Sequence, residues 1–452
     1  MTQKSGYRSA MRNSLLPAAA LIALAATPAL AAGYGLKEHS ADAMAAAYAG
    51  AAASDHDASY LAYNPAASGG VAGTDMSASL VAILPGSSAN YSTALTSAGT
   101  PAGGGAKPSG FISDALVPAF AARTRLNDKL TLGLSISAPW GLRTDYSAQW
   151  AGRYYALKSS LLTINATPSL AYRVIPELTL GAGVQIEYGQ GTLSSAIDTG
   201  TLGALNGIPG SIPGAQDSTA RLSGHNWTFG YVLGAIYKPA ADLAIGISYR
   251  SSLQHDLKGP LTFNLSGTGA IINAVTGLFA NTRQTTPLTM PDMVDAGLRK
   301  DFSDDWSGML EFDWTHWSRF RALTVIAANP LQPSDVTTTR WNDAVFGSAG
   351  VEYRASRTWT WRAGVAYDQS PTADATREPR IPDADRIWIS GGARIRLSDA
   401  FDLNVTASRL FNLKTKIALD PTLPGGALRG TLAGTTQSYV NCVGLEISWR
   451  AD

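Results

Sequence analysis

The feature that most constrains this chain is a period-two alternation of apolar with small or polar residues, repeated along most of its length. Leu130, Leu132 and Leu134, for example, alternate with Thr131 and Gly133. Successive side chains of a β-strand point to opposite faces of the sheet, so this pattern predicts strands with one apolar face. Helical amphipathicity is almost absent, and the sequence therefore predicts an all-β fold.

Fourteen such runs occur between residues 75 and 449, and six tight turns alternate with seven long loops between them. The predicted strands span 75–84, 115–125, 129–138, 162–174, 177–188, 226–238, 242–251, 291–300, 305–316, 343–354, 358–368, 386–397, 400–411 and 437–449. An even number of strands of about ten residues, with short turns at one end and long loops at the other, is typical of outer-membrane barrels. The sequence therefore predicts a 14-stranded antiparallel transmembrane β-barrel over residues 75–452.

The polar face of the predicted strands is rich in Gly, Ser and Thr rather than in Lys and Glu. Charged residues make up only 15% of the chain, whereas glycine accounts for 45 of its 452 residues. A soluble β-sandwich, the main alternative, would also alternate, but its exposed face would carry charged side chains. Hydrocarbon offers no hydrogen-bond partners, so a sheet in lipid must close on itself and leave no unpaired edge. The composition therefore favours the barrel.

The first 31 residues have the pattern of a secretory signal peptide. The positive residues Lys4, Arg8 and Arg12 precede the apolar run Leu15–Ala26, and Ala29–Ala31 provides a small-residue cleavage site. The apolar run has 12 residues, whereas a membrane-spanning helix needs about 20. We therefore exclude a helical membrane protein and expect an exported chain that is periplasmic, secreted or inserted in the outer membrane as a barrel. The predicted barrel favours the outer membrane of a Gram-negative cell.

Residues 32–74 do not follow the strand pattern. This stretch is rich in alanine, Ser40 is a candidate N-cap ahead of a helix over Asp42–Ala49, and Tyr63–Gly70 is a cluster of turn residues. The stretch is too short to fold alone. A barrel of fourteen strands encloses a lumen wider than side chains can fill. We therefore expect residues 32–74 to form a small helical hatch that plugs the lumen.

Several other classes of protein are disfavoured by composition and motifs. Lys and Arg number 35 against 34 Asp and Glu, so no positive excess indicates nucleic-acid binding. The single cysteine, Cys442, excludes an intramolecular disulfide framework. No Gly-x-Ser-x-Gly or His-Glu-x-x-His motif occurs, although a Ser–His pair from distant positions would leave no such motif. We expect no enzyme activity, no metal and no cofactor.

Short motifs along the mature chain resemble one family, in order and over nearly the whole length. They resemble FadL-type outer-membrane transporters of long-chain fatty acids and aromatic hydrocarbons. The motifs are Ala32–Leu36, Ala47–Gly50, Asn64–Ala66, Ala138–Leu142, Trp150–Tyr154, Pro168–Arg173, Trp314–Phe320, Arg362–Asp368 and Arg380–Trp388. The family's architecture, a fourteen-stranded barrel plugged by an N-terminal hatch, is the one that the alternation and the turn pattern predict.

The resemblance implies a function and a set of site residues. It implies passive transport of long-chain fatty acids or similar hydrophobic molecules from a loop groove to a lumenal pocket. Release would then be sideways through the barrel wall, gated by the hatch. Asn64, Pro65 and Ala66 match the hatch motif of the family. The resemblance also implies that the first residues of the mature chain, Ala32, Gly33 and Tyr34, lie near the pocket.

The third predicted strand offers a local reason for an opening in the wall. Pro139 follows the strand and cannot donate a hydrogen bond to a neighbouring strand, and Gly141 lacks a side chain. A pairing defect at these positions could bend the strand inward. The alternative is that Pro139 simply ends the strand.

The alternation also places several charged residues on the strand face opposite the apolar residues that face lipid, among them Glu311, Arg362 and Asp368. An arginine facing lipid at mid-membrane costs about 2 to 4 kcal/mol, so these side chains should face the lumen. Arg319 is a candidate to hold a carboxylate head group through charge-assisted hydrogen bonds. The ligand could equally be an uncharged hydrocarbon.

We expect the working unit to be a monomer whose partners are a hydrophobic small molecule and the lipid of the outer membrane. The alternative to a transport function is a structural or adhesin-type barrel whose long loops bind a partner surface. A transporter purified in mild detergent should retain an apolar molecule in its lumen, whereas an adhesin should not.

Overall fold

The structure, a computed structural model, describes residues 33–422 and 426–451. The predicted signal peptide, residues 1–31, and Ala32 of the pocket segment lie outside these ranges. In the described part of the chain, no helix is long and apolar enough to cross a membrane.

Twenty strand segments of the described ranges form the sheet, and the first pairs with the last, so that the sheet closes. They are β1 Thr74–Leu95, β2 Ala115–Arg125, β3 Leu130–Ser137, β4 Gly141–Asp145, β5 Lys158–Ile175, β6 Leu178–Asp198, β7 Asp217–Ala240, β8 Leu243–Arg250, β9 Leu253–Asn264, β10 Thr282–Met290, β11 Met293–Asp301, β12 Trp306–Thr315, β13 Ala322–Ala327, β14 Asp335–Thr338, β15 Ala344–Arg354, β16 Trp359–Asp368, β17 Arg386–Arg396, β18 Phe401–Asn412, β19 Thr415–Leu419 and β20 Thr431–Ala451. All pairings between these segments are antiparallel.

These segments build a closed barrel of fourteen wall strands. Four wall strands consist of two segments each, namely β3 with β4, β8 with β9, β10 with β11 and β18 with β19. The hairpin of β13 and β14 lies within the long connection between β12 and β15. Two helices lie in the other long loops, α2 at Thr199–Leu205 and α3 at Gly267–Thr276; α1, at Ala41–Ala45, precedes the barrel. The predicted 14-stranded antiparallel barrel is confirmed.

Several strands extend further at the long-loop end than the sequence predicts. The predicted loop 189–225 contains a continued β6–β7 ladder that runs from the pair Gly189 and Asn226 to the pair Asp198 and Asp217. Backbone hydrogen bonds sustain this extension, and its side chains in β6, except that of Gln190, are buried or partly buried, so that they no longer alternate between exposed and buried. The alternation therefore stops before the strands do.

The wall has an apolar outer face and a polar inner face. In β16, Trp361 and Val365 are exposed, whereas Arg362 and Asp368 are buried in the interior. Glu311 of β12 is buried in the same way. The prediction from strand parity that these charged side chains face the lumen is confirmed. This polarity, the reverse of a soluble protein, fits a barrel surrounded by hydrocarbon.

Residues 33–73, the N-terminal segment, lie inside the barrel. Helix α1 contacts β16, β17, β18 and β20, and a 3-10 helix at Pro65–Gly70 contacts β5, β6 and β7 on the other side. Ser40 caps α1 as predicted, because its side chain accepts a hydrogen bond from Ala43 N. The helix ends earlier than the expected Ala49, since Ala47 and Tyr48 adopt positive φ angles of 52° and 64°.

Glycines on the inner face of the wall let the backbone of the N-terminal segment approach closely. A Cβ atom at Gly234 would overlap the side chain of Asn64, and one at Gly364 would overlap the carbonyl of Ala46. Gly181 has the same relation to the Pro65–Ala66 peptide. A glycine inside a strand often marks such an approach. These glycines are visible in the sequence, but the alternation of apolar and polar residues does not show which of them contact the N-terminal segment.

Candidate ligand pathway

A cavity of about 380 Å³ lies among the long loops, and we call it the loop cavity. Apolar side chains from four strands and one loop form most of its wall, namely Leu193, Leu222, Leu261, Phe263, Phe279, Leu323 and Val325. Arg380, Arg429 and the carboxylate of Asp335 also line it. The cavity therefore combines a long apolar surface with charged groups, as an amphipathic ligand requires.

A second cavity, the lumenal pocket, lies between the N-terminal segment and the barrel wall. Its volume is about 70 Å³, and its wall includes Leu36, Tyr63, Trp140, Phe346 and Trp388. This volume holds little more than a few water molecules. A larger ligand would therefore have to displace part of the N-terminal segment.

An aromatic cluster adjoins the lumenal pocket and surrounds Tyr34. Its ring lies 4.6 Å from that of Trp317, 5.7 Å from that of Phe320 and 5.6 Å from that of Trp341. Burial, together with the nearby Glu187, raises the pKa of Tyr34. The protonated phenol donates a hydrogen bond to the backbone oxygen of residue 289 at 3.2 Å. The Tyr34 side chain thus occupies a site in which the rings of Trp317, Phe320 and Trp341 would otherwise be open to contact.

The polar side chains at the lumenal pocket are largely paired. Lys37 forms an ion pair with Asp313, and its Nζ lies 4.2 Å from the centre of the Phe346 ring. Burial opposes the charge of Lys37, but Asp313 and Asp295 more than offset it and raise the pKa of this ammonium group. Burial lowers the pKa of His39 to about 3, so this side chain is neutral at pH 7.

The third wall strand is interrupted where the sequence places Pro139. Strand β3 ends at Ser137 and β4 begins at Gly141, and both pair with β5. The pairing of β2 with β3 ends at Phe120 and Ile136. The strand therefore continues after Pro139 rather than ending there, and it continues away from β2.

The interrupted stretch pairs with the start of the N-terminal segment. Leu36 N donates a hydrogen bond to the oxygen of Pro139 at 2.8 Å, and Gly141 N donates to the oxygen of Tyr34 at the same distance. Trp140 forms the corresponding antiparallel bridge with residue 35. The wall residues singled out from the sequence thus contact the predicted pocket segment directly.

Asn64, Pro65 and Ala66 lie at the turn between the two 3-10 helices of the N-terminal segment. The Asn64 Nδ2 donates to the backbone oxygens of Ala52 at 2.7 Å and of Ala235 at 3.2 Å. Its Oδ1 accepts a hydrogen bond from Ala66 N at 2.9 Å, and Pro65 occupies the first helical position. The Asn64 amide, fully buried, therefore joins this turn to the wall.

The start of the N-terminal segment is also held by a loop. Gly33 N donates to Asp383 Oδ2 at 3.0 Å, and Ser370 Oγ donates to the same oxygen at 2.6 Å. Gly33 has a φ of 62°, and a Cβ there would press on Trp317 and Trp341. Glycine is therefore the residue that this position accepts without strain.

Arg319 lies in a 3-10 turn after β12 and donates a hydrogen bond to Asp292. Its side chain is 42% exposed, and it lines neither the loop cavity nor the lumenal pocket. Within the described ranges, no three His, Cys, Asp or Glu side chains are grouped so that they could hold a metal ion.

Two relatives resemble the chain over most of its length. The long-chain fatty acid transport protein of Escherichia coli O6:H1 strain CFT073 is 28% identical over 416 residues, which are 88% of this chain and 91% of that protein. Outer membrane protein P1 of Haemophilus influenzae strain ATCC 51907 is 27% identical over 464 residues, or 97% of this chain and 99% of that protein.

Solved structures show the same fold. The crystal structure of a Pseudomonas aeruginosa FadL homologue superimposes with a TM-score of 0.84 at 26% identity and covers 92% of this chain and 99% of that chain. The Pseudomonas putida toluene transporter TodX gives a TM-score of 0.67 at 17% identity, with 93% and 99% covered. At that identity, the likeness concerns the fold.

Residues 22–450 match the family described as outer membrane protein transport protein (OMPP1/FadL/TodX). The match spans nearly the whole chain and agrees with the closed barrel and with the curated relatives. This chain therefore belongs to that family, as an outer-membrane β-barrel that transports hydrophobic molecules and is not an enzyme.

Proposed function

We propose that the chain carries long-chain fatty acids or similar hydrophobic molecules passively across the outer membrane and releases them sideways through the barrel wall. In this proposal residues 32–74 are a hatch that closes the lumen, and residues 75–452 are the barrel. A single chain closes its own barrel by pairing β1 with β20, so a monomer in the outer-membrane lipid suffices.

One observation carries the proposal. The wall is interrupted at Pro139, and the interrupted stretch is paired with the hatch by two backbone hydrogen bonds, Leu36 N to Pro139 O and Gly141 N to Tyr34 O. Movement of the hatch start would therefore change the wall at the same place. The aromatic cluster and the lumenal pocket adjoin this contact, so a ligand that displaced Tyr34 would act on the opening directly.

The driving force is the burial of apolar surface. A methylene group gains about 0.8 kcal/mol on leaving water, so the apolar wall of the loop cavity can capture an acyl chain without an energy source. Displacement of Tyr34 would then expose the faces of Trp317 and Trp341 to the ligand. The fatty acid transport protein and the toluene transporter among the similar proteins support both acyl chains and aromatic hydrocarbons as candidate ligands.

The test is uptake of labelled oleate and, separately, of toluene in a Gram-negative host that lacks its own fatty-acid porin. Surface expression is verified by antibody labelling of intact cells. Oleate uptake supports a fatty-acid transporter, and toluene uptake alone supports a hydrocarbon channel. Absence of both with normal surface expression would refute the proposal and favour the adhesin-type barrel.

The opening is tested by Gly141→Trp, which places a large side chain beside the hatch contact. We expect the initial uptake rate to fall about tenfold or more, equivalent to about 1.4 kcal/mol of barrier. Gly347→Trp in β15 is the matched control, because nothing lies within 4 Å of a Cβ at that position. Equal uptake by the two variants would exclude release at the third wall strand.

A further inference from the structure

The outer face of the barrel carries three cations near the end that bears the long loops, and we call them the outer cation group. They are Arg409 of β18, Lys414 between β18 and β19, and Lys416 of β19. Both neighbours of Arg409 in β18 are buried, and so is Ile417 next to Lys416, whereas Lys414 and Lys416 are exposed. Because side chains alternate between the two faces of a strand, Arg409 and Lys416 point away from the lumen.

The outer cation group begins at the edge of the apolar band that faces lipid. Phe411 opposes Tyr439 across β18 and β20, and both rings are exposed on the outer face. Toward the short turns, the outer face of β20 continues with apolar side chains, beginning at Val443. Aromatic rings at the end of such a band mark the boundary between hydrocarbon and head groups. Lys416 opposes Thr435, which lies about 13 Å along the strand from Tyr439 toward the loops. The group therefore extends from this boundary through the head-group layer.

Arg409 is held in position without a carboxylate partner. Its guanidinium carbon lies 4.0 Å from the centre of the Tyr439 ring, and its Nη1 donates a hydrogen bond to Asn441 Oδ1 at 2.6 Å. Both of these partners are neutral. A guanidinium group has five N–H donors, so Arg409 retains donors for an acceptor in the head-group layer. An anion at this level stabilises the cation more than it would in bulk water, because less water surrounds it.

The positive charge of the group is not compensated by the protein. Among the described residues, Arg409, Lys414 and Lys416 form no ion pair, and the two ammonium groups make no hydrogen bond. Asp385, just before β17, uses its carboxylate to accept hydrogen bonds from the Tyr367 hydroxyl and from Ser370 N, both at 2.8 Å. The outward side chains of β20 and β1 at this level are neutral, namely Thr435, Gln437, Ser88 and Asn90.

The charge and the spacing of the group match one kind of lipid. The long loops of an outer-membrane barrel face the cell exterior, and the outer leaflet there consists largely of lipopolysaccharide. Its lipid A carries a phosphate at each end of a glucosamine disaccharide. A guanidinium fork binds a phosphate through parallel hydrogen bonds, and a lysine adds a point charge. Arg409 at the aromatic boundary and the lysines nearer the loops are separated along the wall, as the two phosphates are within one head group.

We propose that the outer cation group is a docking site for lipid A, in which Arg409 and the lysines Lys414 and Lys416 contact its two phosphates. The acyl chains then lie along the apolar outer face of β18, β20 and β1. The inference concerns the outside of the wall and does not depend on the proposed transport function.

The experiment uses the full-length barrel purified in mild detergent and titrated with lipids under native mass spectrometry. The lipids are diphosphoryl lipid A, monophosphoryl lipid A and phosphatidylglycerol. Wild-type protein should bind the diphosphoryl form about fivefold or more tightly than the monophosphoryl form, since one phosphate contact is lost. The double variant Lys414→Gln/Lys416→Gln should weaken binding of the diphosphoryl form by about 10- to 30-fold. Because both lysines are exposed, the variant should fold normally, as checked by heat-modifiable gel migration.

The matched control removes two exposed cations at the opposite end of the barrel. Lys129 and Arg357 lie in short turns, and Lys129→Gln/Arg357→Gln should leave the affinity for diphosphoryl lipid A unchanged. Arg409→Gln adds a second readout, because it should reduce the affinity for both lipid A forms and leave that for phosphatidylglycerol within about twofold.

Three results would overturn the inference. Equal affinity of the wild type for all three lipids would show only a general attraction of anionic lipid. Equal affinity of the lysine variant and its control would place the lipid elsewhere on the wall. Absence of bound lipid A from the wild type would leave the group to another partner, such as a protein surface. Oleate and toluene uptake by the same variants is expected to match wild type, so loss of lipid A binding and loss of transport are distinguished.

Discussion

The replacement Asp42→Asn tests whether the hatch is anchored to the wall by a buried ion cluster. Asp42 is fully buried and pairs with Arg362, while Arg394 Nη2 lies 3.1 Å from both of its carboxylate oxygens. Tyr60 and His56 add hydrogen bonds at 2.9 and 2.8 Å. The replacement keeps the size of the side chain but leaves two buried cations without this partner.

The expected magnitude follows from that uncompensated charge. Removal of one member of a buried ion pair costs about 3 to 5 kcal/mol. Arg362 keeps a second partner, Glu352, at 2.7 Å, so the lower end of this range applies. A loss of about 3 kcal/mol makes detachment of the hatch roughly 100-fold more frequent. The barrel itself should persist, because its closure depends on strand pairing rather than on Asp42.

Hydrogen–deuterium exchange with mass spectrometry measures this directly on the purified barrel. Protection of peptides covering residues 41–70 should fall roughly 100-fold, with the wall strands unchanged. The matched control is Asp128→Asn, since Asp128 lies in a tight turn with its side chain 99% exposed and pairs only with Arg125. Equal protection in both variants would show that Asp42 does not hold the hatch, and equal loss in hatch and strands would show that the two do not separate.

Three further perturbations have defined outcomes. Asn64→Ala should lower oleate uptake without reducing the amount of folded barrel, measured by heat-modifiable gel migration, since it removes the amide that joins hatch and wall. Gly234→Leu should raise hatch exchange, because its side chain would overlap Asn64, whereas Gly347→Leu should not. Burial lowers the pKa of His39 to about 3 and of His56 to about 4. The stability of the hatch contacts is therefore full above about pH 6.5 and falls as pH is lowered toward 4. The protection factor, corrected for the pH dependence of the intrinsic exchange rate, should fall over this range, but less so in His56→Asn.

Much of the fold was predictable because a strand that faces lipid needs a continuous apolar face. Every wall strand needs apolar residues on one face, so the alternation at Leu130–Ser137 and elsewhere marks each strand. Pro139 was informative for the same reason, since a missing donor within a closed sheet must be accommodated by a local break. Where the strand no longer presents a regularly exposed face, as in the extension from Gly189 to Asp198, the alternation no longer marks it.

The site was less predictable because residues far apart in the sequence build it. Trp317 and Trp341 reach Tyr34 across the lumen, and Asp383 reaches Gly33 across 350 positions. No spacing within a single segment signals such contacts. The sequence suggested that an arginine on the lumen side of the wall holds the carboxylate head group of a ligand, with Arg319 as the candidate. The structure pairs that residue with Asp292, which parity cannot reveal.

The proposed sideways release breaks fewer of the contacts that hold the hatch than passage along the barrel axis would. Passage along the barrel axis would require the hatch to leave the wall, and Asp42 with Arg362 alone opposes this by about 3 kcal/mol or more. Separation of the hatch start from the interrupted strand breaks two backbone hydrogen bonds, those joining Leu36 to Pro139 and Gly141 to Tyr34. At about 1 kcal/mol each, this costs roughly 2 kcal/mol, which the burial of three methylene groups offsets. The proposed sideways release therefore requires an acyl chain to separate only the start of the hatch from the third wall strand, while the ion cluster keeps the rest of the hatch in place.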